Sequence, residues 1–252
     1  MDFSGKKVLI TGASRGIGKA TAMAFAEKGA QVGLNYRNNI DEAKRTLKEM
    51  PGKGHQLFQK DIGKTENCKE LIQEFIETYG RLDILVNNAG IFQHHKIDEI
   101  DFEEWTQTWE TTFRTNLYAA AHLSYWASQK MMKSGGGRIV NVSSRGAFRG
   151  EPNAPAYGAS KAALNAMSQS LAKKLAPHNI FVGVVAPGFT ETEMGANALT
   201  PEERERLLAE TSFKRMAKPE EVAHAILFLA SEGAEYCSGA IIDVNGASYL
   251  RS

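Results

Sequence analysis

Seven short apolar runs, each parted from the next by a segment long enough for a helix, span this chain of 252 residues. Val8-Leu-Ile10, Ile84-Leu-Val86 and Val182-Gly-Val-Val185 are apolar at consecutive positions rather than alternate ones. A strand of that kind has both faces buried, which requires a sheet covered on two sides by helices. Strands are expected over 7–11, 31–36, 55–59, 84–87, 138–143, 180–186 and 241–244, and helices over 16–28, 41–50, 65–79, 113–133, 155–176 and 219–230. This alternation predicts one α/β domain over 1–252, with a doubly wound, seven-stranded parallel sheet. No Pro- or Ser-rich linker, repeat or low-complexity tract divides it.

Two segments break the rhythm. Residues 91–110 carry charges, two histidines and two tryptophans, and residues 188–213 follow the sixth strand. Both leave from the carboxyl ends of strands, where ligands sit in such sheets. The second reads as a short helical substrate lid that excludes water.

The first strand runs into Thr11-Gly-Ala-Ser-Arg-Gly-Ile-Gly18. Gly12, Gly16 and Gly18 allow the backbone to approach a pyrophosphate and open a helix whose N-terminus supplies donors and a favourable dipole. Ser14, Arg15 and Ile17 lie in the same turn. Strand, turn and helix together predict a Rossmann-type dinucleotide site rather than a tight turn without a ligand. NAD sites of this type carry Asp or Glu at the end of the second strand. Here the segment reads Leu34-Asn-Tyr-Arg-Asn38, so Tyr36 and Arg37 stand at that place. Arg37 and Arg15 suit a 2′-phosphate, which guanidinium groups grip through charge-assisted hydrogen bonds. The expectation is NADP(H), with NAD(H) as the alternative; the blander reading makes both arginines solvated surface charges.

Tyr157 and Lys161 stand four residues apart in Pro155-Ala-Tyr-Gly-Ala-Ser-Lys161, on one face of a helix. A phenol with a pKa of about 10 is a poor acid or base at neutral pH. A cation within a few ångströms favours the phenolate, so Lys161 is expected to pull that pKa down.

In order and spacing, these residues resemble the short-chain dehydrogenase/reductase family, and the resemblance covers essentially the whole chain. The turn ending at Gly18 is similar to the family's cofactor motif, and Asp61, next to Ile62, is similar to its adenine-contacting acid. Asn87-Asn88-Ala89-Gly90 resembles the element after strand four that flanks the cofactor. Pro187-Gly188 resembles the turn after strand six, with Thr190 and Thr192 on the nicotinamide and phosphate sides. Asn116, Ser144, Tyr157 and Lys161 match the family's catalytic set, and the thirteen-residue offset to Tyr157 selects Ser144 over Ser143. The resemblance implies hydride transfer between nicotinamide and a carbonyl carbon. Tyr157 would act as general acid/base, Lys161 would support it and bond the nicotinamide ribose, and Ser144 would hold the carbonyl oxygen. Asn116 would fix a water linking Lys161 to solvent.

The family also implies a four-helix dimer interface formed by the helix over 113–133 and its partner over 157–176, with C-terminal segments completing a homotetramer. Within it, Pro187-Gly-Phe-Thr-Glu-Thr-Glu-Met194 and Val244-Asn-Gly246 most resemble 3-oxoacyl-acyl-carrier-protein reductases of fatty acid synthesis. Small-molecule ketone and sugar reductases are the alternative. A non-catalytic NADP(H)-binding sensor fits less well, because both Tyr157 and Lys161 are kept. Two features depart from the carrier-using pattern. Gly135 and His178 fall where arginines are expected, although Lys133 and Lys173 are close by, and the stretch from Gly90 to Asn116 is longer than usual.

A formal charge of +1 gives no basic field for nucleic acid or an anionic membrane. No apolar run approaches the roughly 20 residues of a bilayer span, and the first strand begins too early for a signal peptide, so a cytoplasmic protein is expected. Cys68 and Cys237 lack metal or redox spacing and are expected as reduced thiols. His94 and His95 are adjacent and have no acidic or cysteine partner at ligand spacing. No metal site is expected, and both histidines read as surface or substrate-loop residues.

Overall fold

The computed structural model describes residues 1–192 and 201–251. Strands β1 (Lys7–Ile10), β2 (Gln31–Tyr36), β3 (Gln56–Gln59), β4 (Ile84–Asn87), β5 (Gly137–Val142), β6 (Ile180–Pro187) and β7 (Ile241–Val244) form one sheet in the order β3-β2-β1-β4-β5-β6-β7. Every pairing is parallel. The order reverses beside β1, and the crevice outside the carboxyl ends of β1 and β4 is where such a sheet accepts ligands.

The consecutive apolar residues of the strands divide between two cores. Val8, Ile10, Val140 and Val142 face α1 (Gly16–Glu27) and the C-terminal helix Pro219–Ala230, meeting Ala22, Phe25, Val222 and Ile226. Leu9, Leu85, Ile139 and Val182 face the other layer, formed by α3 (Thr65–Tyr79), α5 (Ala119–Met131) and α7 (Pro155–Leu175). There they meet Leu71, Phe75, Leu123, Met131 and Leu175. A polar side chain within Val8–Ile10 or Ile84–Val86 would be buried among apolar neighbours, which explains the unbroken apolar runs.

Most predicted boundaries hold to within one residue, and one segment departs further. Residues 102–113 are helical (α4, Phe102–Phe113) and pass through a single π turn, Arg114–Tyr118, into α5. The expected helix over 113–133 therefore starts eleven residues early by the count from 113 back to 102. Asp101 caps α4 by accepting the Glu104 N–H at 2.8 Å, and Glu103 and Glu104 sit favourably in its first turn. The remaining helices are α2 (Ile40–Glu49), α6 (Gly146–Arg149), α8 (Pro201–Glu210) and α9 (Pro219–Ala230). Of the expected lid over 188–213, residues 193–200 lie outside the described residues, and 201–210 form α8. Cys68 is buried, Cys237 is half-buried, and both are free thiols. Among the described residues, no helix is long and apolar enough to cross a membrane, and no group of His, Cys, Asp and Glu is arranged to hold a metal ion.

Candidate active site

A cleft of about 570 Å³ runs along the carboxyl ends of the strands, from the glycine turn to the first turn of α7. Its glycine end is held by backbone. Gly12 and Gly16 have φ of +62° and +54°, the left-handed region where a side chain is strained. A Cβ at Gly18 would overlap the Gly12 carbonyl oxygen, so α1 can start this close to β1 only with glycine there. Thr11 joins the turn to β4: its hydroxyl accepts the N–H groups of Asn88 and Ala89, both at 3.0 Å. The Asn88 amide donates back to the carbonyls of Thr11 and Gly12 at 2.9 and 3.1 Å. Thr192 crosses above Gly16, its methyl 3.1 Å from where a Cβ would stand.

Further along this end, Tyr36 is buried while Arg15 and Arg37 are exposed at the rim. Asp61 lines the cleft beside Ile62 and accepts the Gly63 N–H at 3.0 Å. Sequence reasoning missed Asn35 and Lys60. Asn35 is buried in β2 and ties β3 in place through the carbonyls of Phe58 and Lys60, at 3.2 and 3.1 Å. Lys60 lines the cleft but is paired with Glu70 at 2.9 Å.

The other end brings Ser144, Tyr157 and Lys161 together. Lys161 is buried, its ammonium donates to the Val142 carbonyl at 2.8 Å, and it lies 5.8 Å from the centre of the Tyr157 ring. Burial pushes its pKa down to about 8. Tyr157 behaves opposite to the sequence expectation. Burial pushes its phenol up to about 12; a hydrogen bond with the Ser144 side chain opposes this, and the Glu151 carboxylate adds to it. At neutral pH the group is a protonated phenol. The Ser144 hydroxyl also accepts the Gly146 N–H at 3.0 Å, which orients it. Phe92 packs edge-on against Tyr157, with centroids 5.0 Å apart.

Asn116 sits in the π turn, a geometry that frequently marks functional positions. Its amide brackets Ile91, accepting the N–H at 2.8 Å and donating to the carbonyl at 3.0 Å, and it donates to Ser160 at 3.2 Å. Gly90 separates it from the lysine. A Cβ there would lie 3.3 Å from the Asn116 oxygen and 3.4 Å from the Lys161 nitrogen. Gly18 and Asn116 support the cleft from behind, whereas the other expected site residues line it.

Arg145, Glu151, Phe92 and Phe189 also line this end and were not foreseen. Arg145 is buried under Phe189, with 4.8 Å from guanidinium to ring centre, and pairs with Glu210 of α8 at 3.0 Å. Arg149 shares the same Glu210 oxygen at 3.1 Å and approaches Glu151 at 3.6 Å. Burial raises the pKa of the Glu151 carboxyl above its ordinary value, and the two arginines oppose that rise. The available signal was three charged residues between the end of β5 and Tyr157, in a stretch otherwise small and apolar. His95 corrects the surface part of the sequence reading: it stays in the loop before α4 but is 1% exposed and faces α7, whereas His94 is exposed.

Comparison with known proteins agrees with this architecture. A family model described as enoyl-(acyl carrier protein) reductase matches residues 12–247. A crystal structure from Sinorhizobium meliloti 1021, described as a short-chain alcohol dehydrogenase, superposes with a TM-score of 0.89 at 34% identity, covering 98% of this chain and 97% of that one. The chain belongs to the short-chain dehydrogenase/reductase family of oxidoreductases. Among its relatives, an uncharacterised oxidoreductase of Thermotoga maritima is 41% identical over 98% of this chain and 99% of its own length. A 3-oxoacyl-[acyl-carrier-protein] reductase of the same organism is 38% identical over 98% of each.

Proposed function

We propose that this protein is an NADP(H)-dependent reductase of carbonyl groups, with a 3-oxoacyl thioester as its substrate. The carrying observation is geometric: the buried Tyr157 phenol, the Ser144 side chain bonded to it and the Lys161 ammonium 5.8 Å from its ring centre meet in the cleft that begins at the glycine turn. The cleft fits a dinucleotide because the glycine turn opens α1 at its end, offering helix N-terminal N–H groups to a pyrophosphate, and the turn is packed too tightly for side chains. A Cβ on Gly12 would stand 3.0 Å from the Ala89 Cα, and one on Gly16 would stand against Thr192. In this reading the turn holds the pyrophosphate, Arg15 and Arg37 the 2′-phosphate, and Asp61 and Ile62 the adenine. Asn88, Ala89, Gly90, Pro187, Gly188 and Thr190 enclose the nicotinamide end. When bound, the reduced nicotinamide supplies the hydride.

The chain's own residues then manage charge and one proton. As negative charge gathers on the substrate oxygen, the Ser144 hydroxyl holds that oxygen and the Tyr157 O–H donates its proton to it. The Lys161 ammonium stabilises the phenolate left behind. Burial keeps the proton on the phenol at neutral pH, the form that reduction requires, and the Lys161 ammonium offsets the cost of giving that proton up.

The 3-oxoacyl thioester is supported by the named Thermotoga relative and by Lys133 and Lys173, exposed beyond α5 and on α7. A small polar ketone or sugar is the second reading. It is favoured by Glu151 and Arg145, charged groups that an acyl chain has no use for. We further propose a homotetramer; the half-exposed Tyr118 and Tyr125 along α5 and its π turn support an interface there.

The deciding assay is NADPH oxidation with acetoacetyl-carrier protein, acetoacetyl-CoA, diketones and sugars. The carrier thioester is expected to lead, with Lys133→Glu/Lys173→Glu raising its KM and sparing small ketones. A sugar leading would replace the substrate reading. Tyr157→Phe should lower turnover by about a thousandfold while NADPH still binds.

A further inference from the structure

Helix α7 carries Tyr157 in its first turn, yet its N-cap is Ala154, which has no side-chain acceptor. A helix start leaves its first N–H groups without intrahelical partners. Pro155 has no N–H to satisfy. The Tyr157 and Gly158 N–H groups both turn back to the Ala154 carbonyl, at 3.0 and 3.3 Å. That leaves the Ala156 N–H, one residue before the phenol. It donates to Nε2 of His95 at 3.0 Å.

Three contacts hold the imidazole for this purpose. Its Nδ1 stands 2.9 Å from the Gln93 carbonyl oxygen, which can only accept. The proton therefore resides on Nδ1, and Nε2 presents its lone pair to the helix. The His95 N–H donates to the Asn153 carbonyl at 2.8 Å, just before α7. The ring lies 5.5 Å from Trp105, which in turn lies 5.8 Å from Trp109 on α4. The segment between β4 and α4 is thus clamped to the start of the catalytic helix.

We propose that His95 is a positioning residue for the reduction: its neutral imidazole replaces the missing N-cap and holds the first turn of α7, and hence the Tyr157 hydroxyl, against Ser144. This rests on reading Tyr157 as the proton donor. His95→Phe keeps an aromatic ring against Trp105 and removes the acceptor. His95→Gln returns an amide oxygen near the place of Nε2. In His95→Phe, kcat for carbonyl reduction should fall about tenfold, with the Kd for NADPH within about twofold of the parent, and His95→Gln should recover most of the loss.

Full kcat in a folded His95→Phe protein overturns the inference, as does an equal loss in the Phe and Gln variants. Should His95→Phe fail to fold, ¹⁵N–¹H correlation spectra of the unaltered protein decide. A ring protonated on Nδ1 is expected, and one protonated on Nε2 overturns the inference. Failure of this inference would leave Tyr157→Phe inactive, whereas an active Tyr157→Phe would remove the reductase reading itself.

Discussion

At the glycine end of the cleft, backbone groups make most of the contacts; at the reacting end, long side chains from separate segments do. The first end is set by three glycines, the Thr11 hydroxyl and the Asn88 amide, all within reach of β1 and β4. The second is assembled from Phe92 before α4, Arg145 and Glu151 around α6, and Glu210 at the end of α8. Backbone construction suits recognition of phosphate, which N–H groups and a helix N-terminus can bind without help from side chains. Side-chain construction allows substrate choice to change by exchange of a few residues, with the sheet untouched.

The largest effect on cofactor binding is expected where the backbone has no slack. In Gly18→Ala the new methyl meets the Gly12 carbonyl, and neither group can swing aside. Strain of about 2–3 kcal/mol should weaken NADPH binding by about 30- to 150-fold. A fluorescence titration showing unchanged affinity would mean the turn is not built as described.

Next comes the charge at the reacting end. The Lys161 pKa is lowered to about 8 by burial, so its ammonium discharges as pH rises past that value. Tyr157 remains protonated throughout, because its pKa is raised to about 12. Reductive kcat/KM should therefore be level below pH 8 and fall about tenfold per unit above it. A profile flat to pH 10 would deny the lysine this role.

Arg37→Asp tests the rim of the glycine end. Loss of a charge-assisted contact should move the NADPH-to-NADH ratio of kcat/KM by about tenfold or more towards NADH. An unmoved ratio would make Arg37 a surface charge.

The smallest effect belongs to Glu210→Gln. The pair it breaks involves a carboxylate that is 40% exposed, so the direct loss is modest. KM for the carbonyl substrate should rise about three- to fivefold with no change in the Kd for NADPH. Equal changes in both would show that the two ends are not separable.

How far the sequence could be read follows the same division. The sheet was legible because burial on both faces demands consecutive apolar residues, and Val8-Leu-Ile10 has no other use. The glycine turn, Tyr157 and Lys161 were legible because each depends on local spacing along a turn or helix. Helix α4 was missed because its aromatic and charged residues mask the helical period, although Asp101 three residues before Glu104 is a capping signal. His95 was misread because nothing local says that its partner is the N–H of Ala156, 61 residues away. The phenol's pKa was expected to fall, since spacing showed the neighbouring lysine but not the depth of burial that raises it.

Order along the chain, through periodicity and spacing, determined the layered sheet, the crevice and the placing of Tyr157 and Lys161 together on one helix. Those features depend on interactions within a few residues or on a repeated pattern. Tertiary packing alone decided the protonation of that tyrosine, the partner of the imidazole and the pairing of two arginines with one distant glutamate. Each depends on how much water is excluded and on which remote side chain arrives, and neither is recorded in local order.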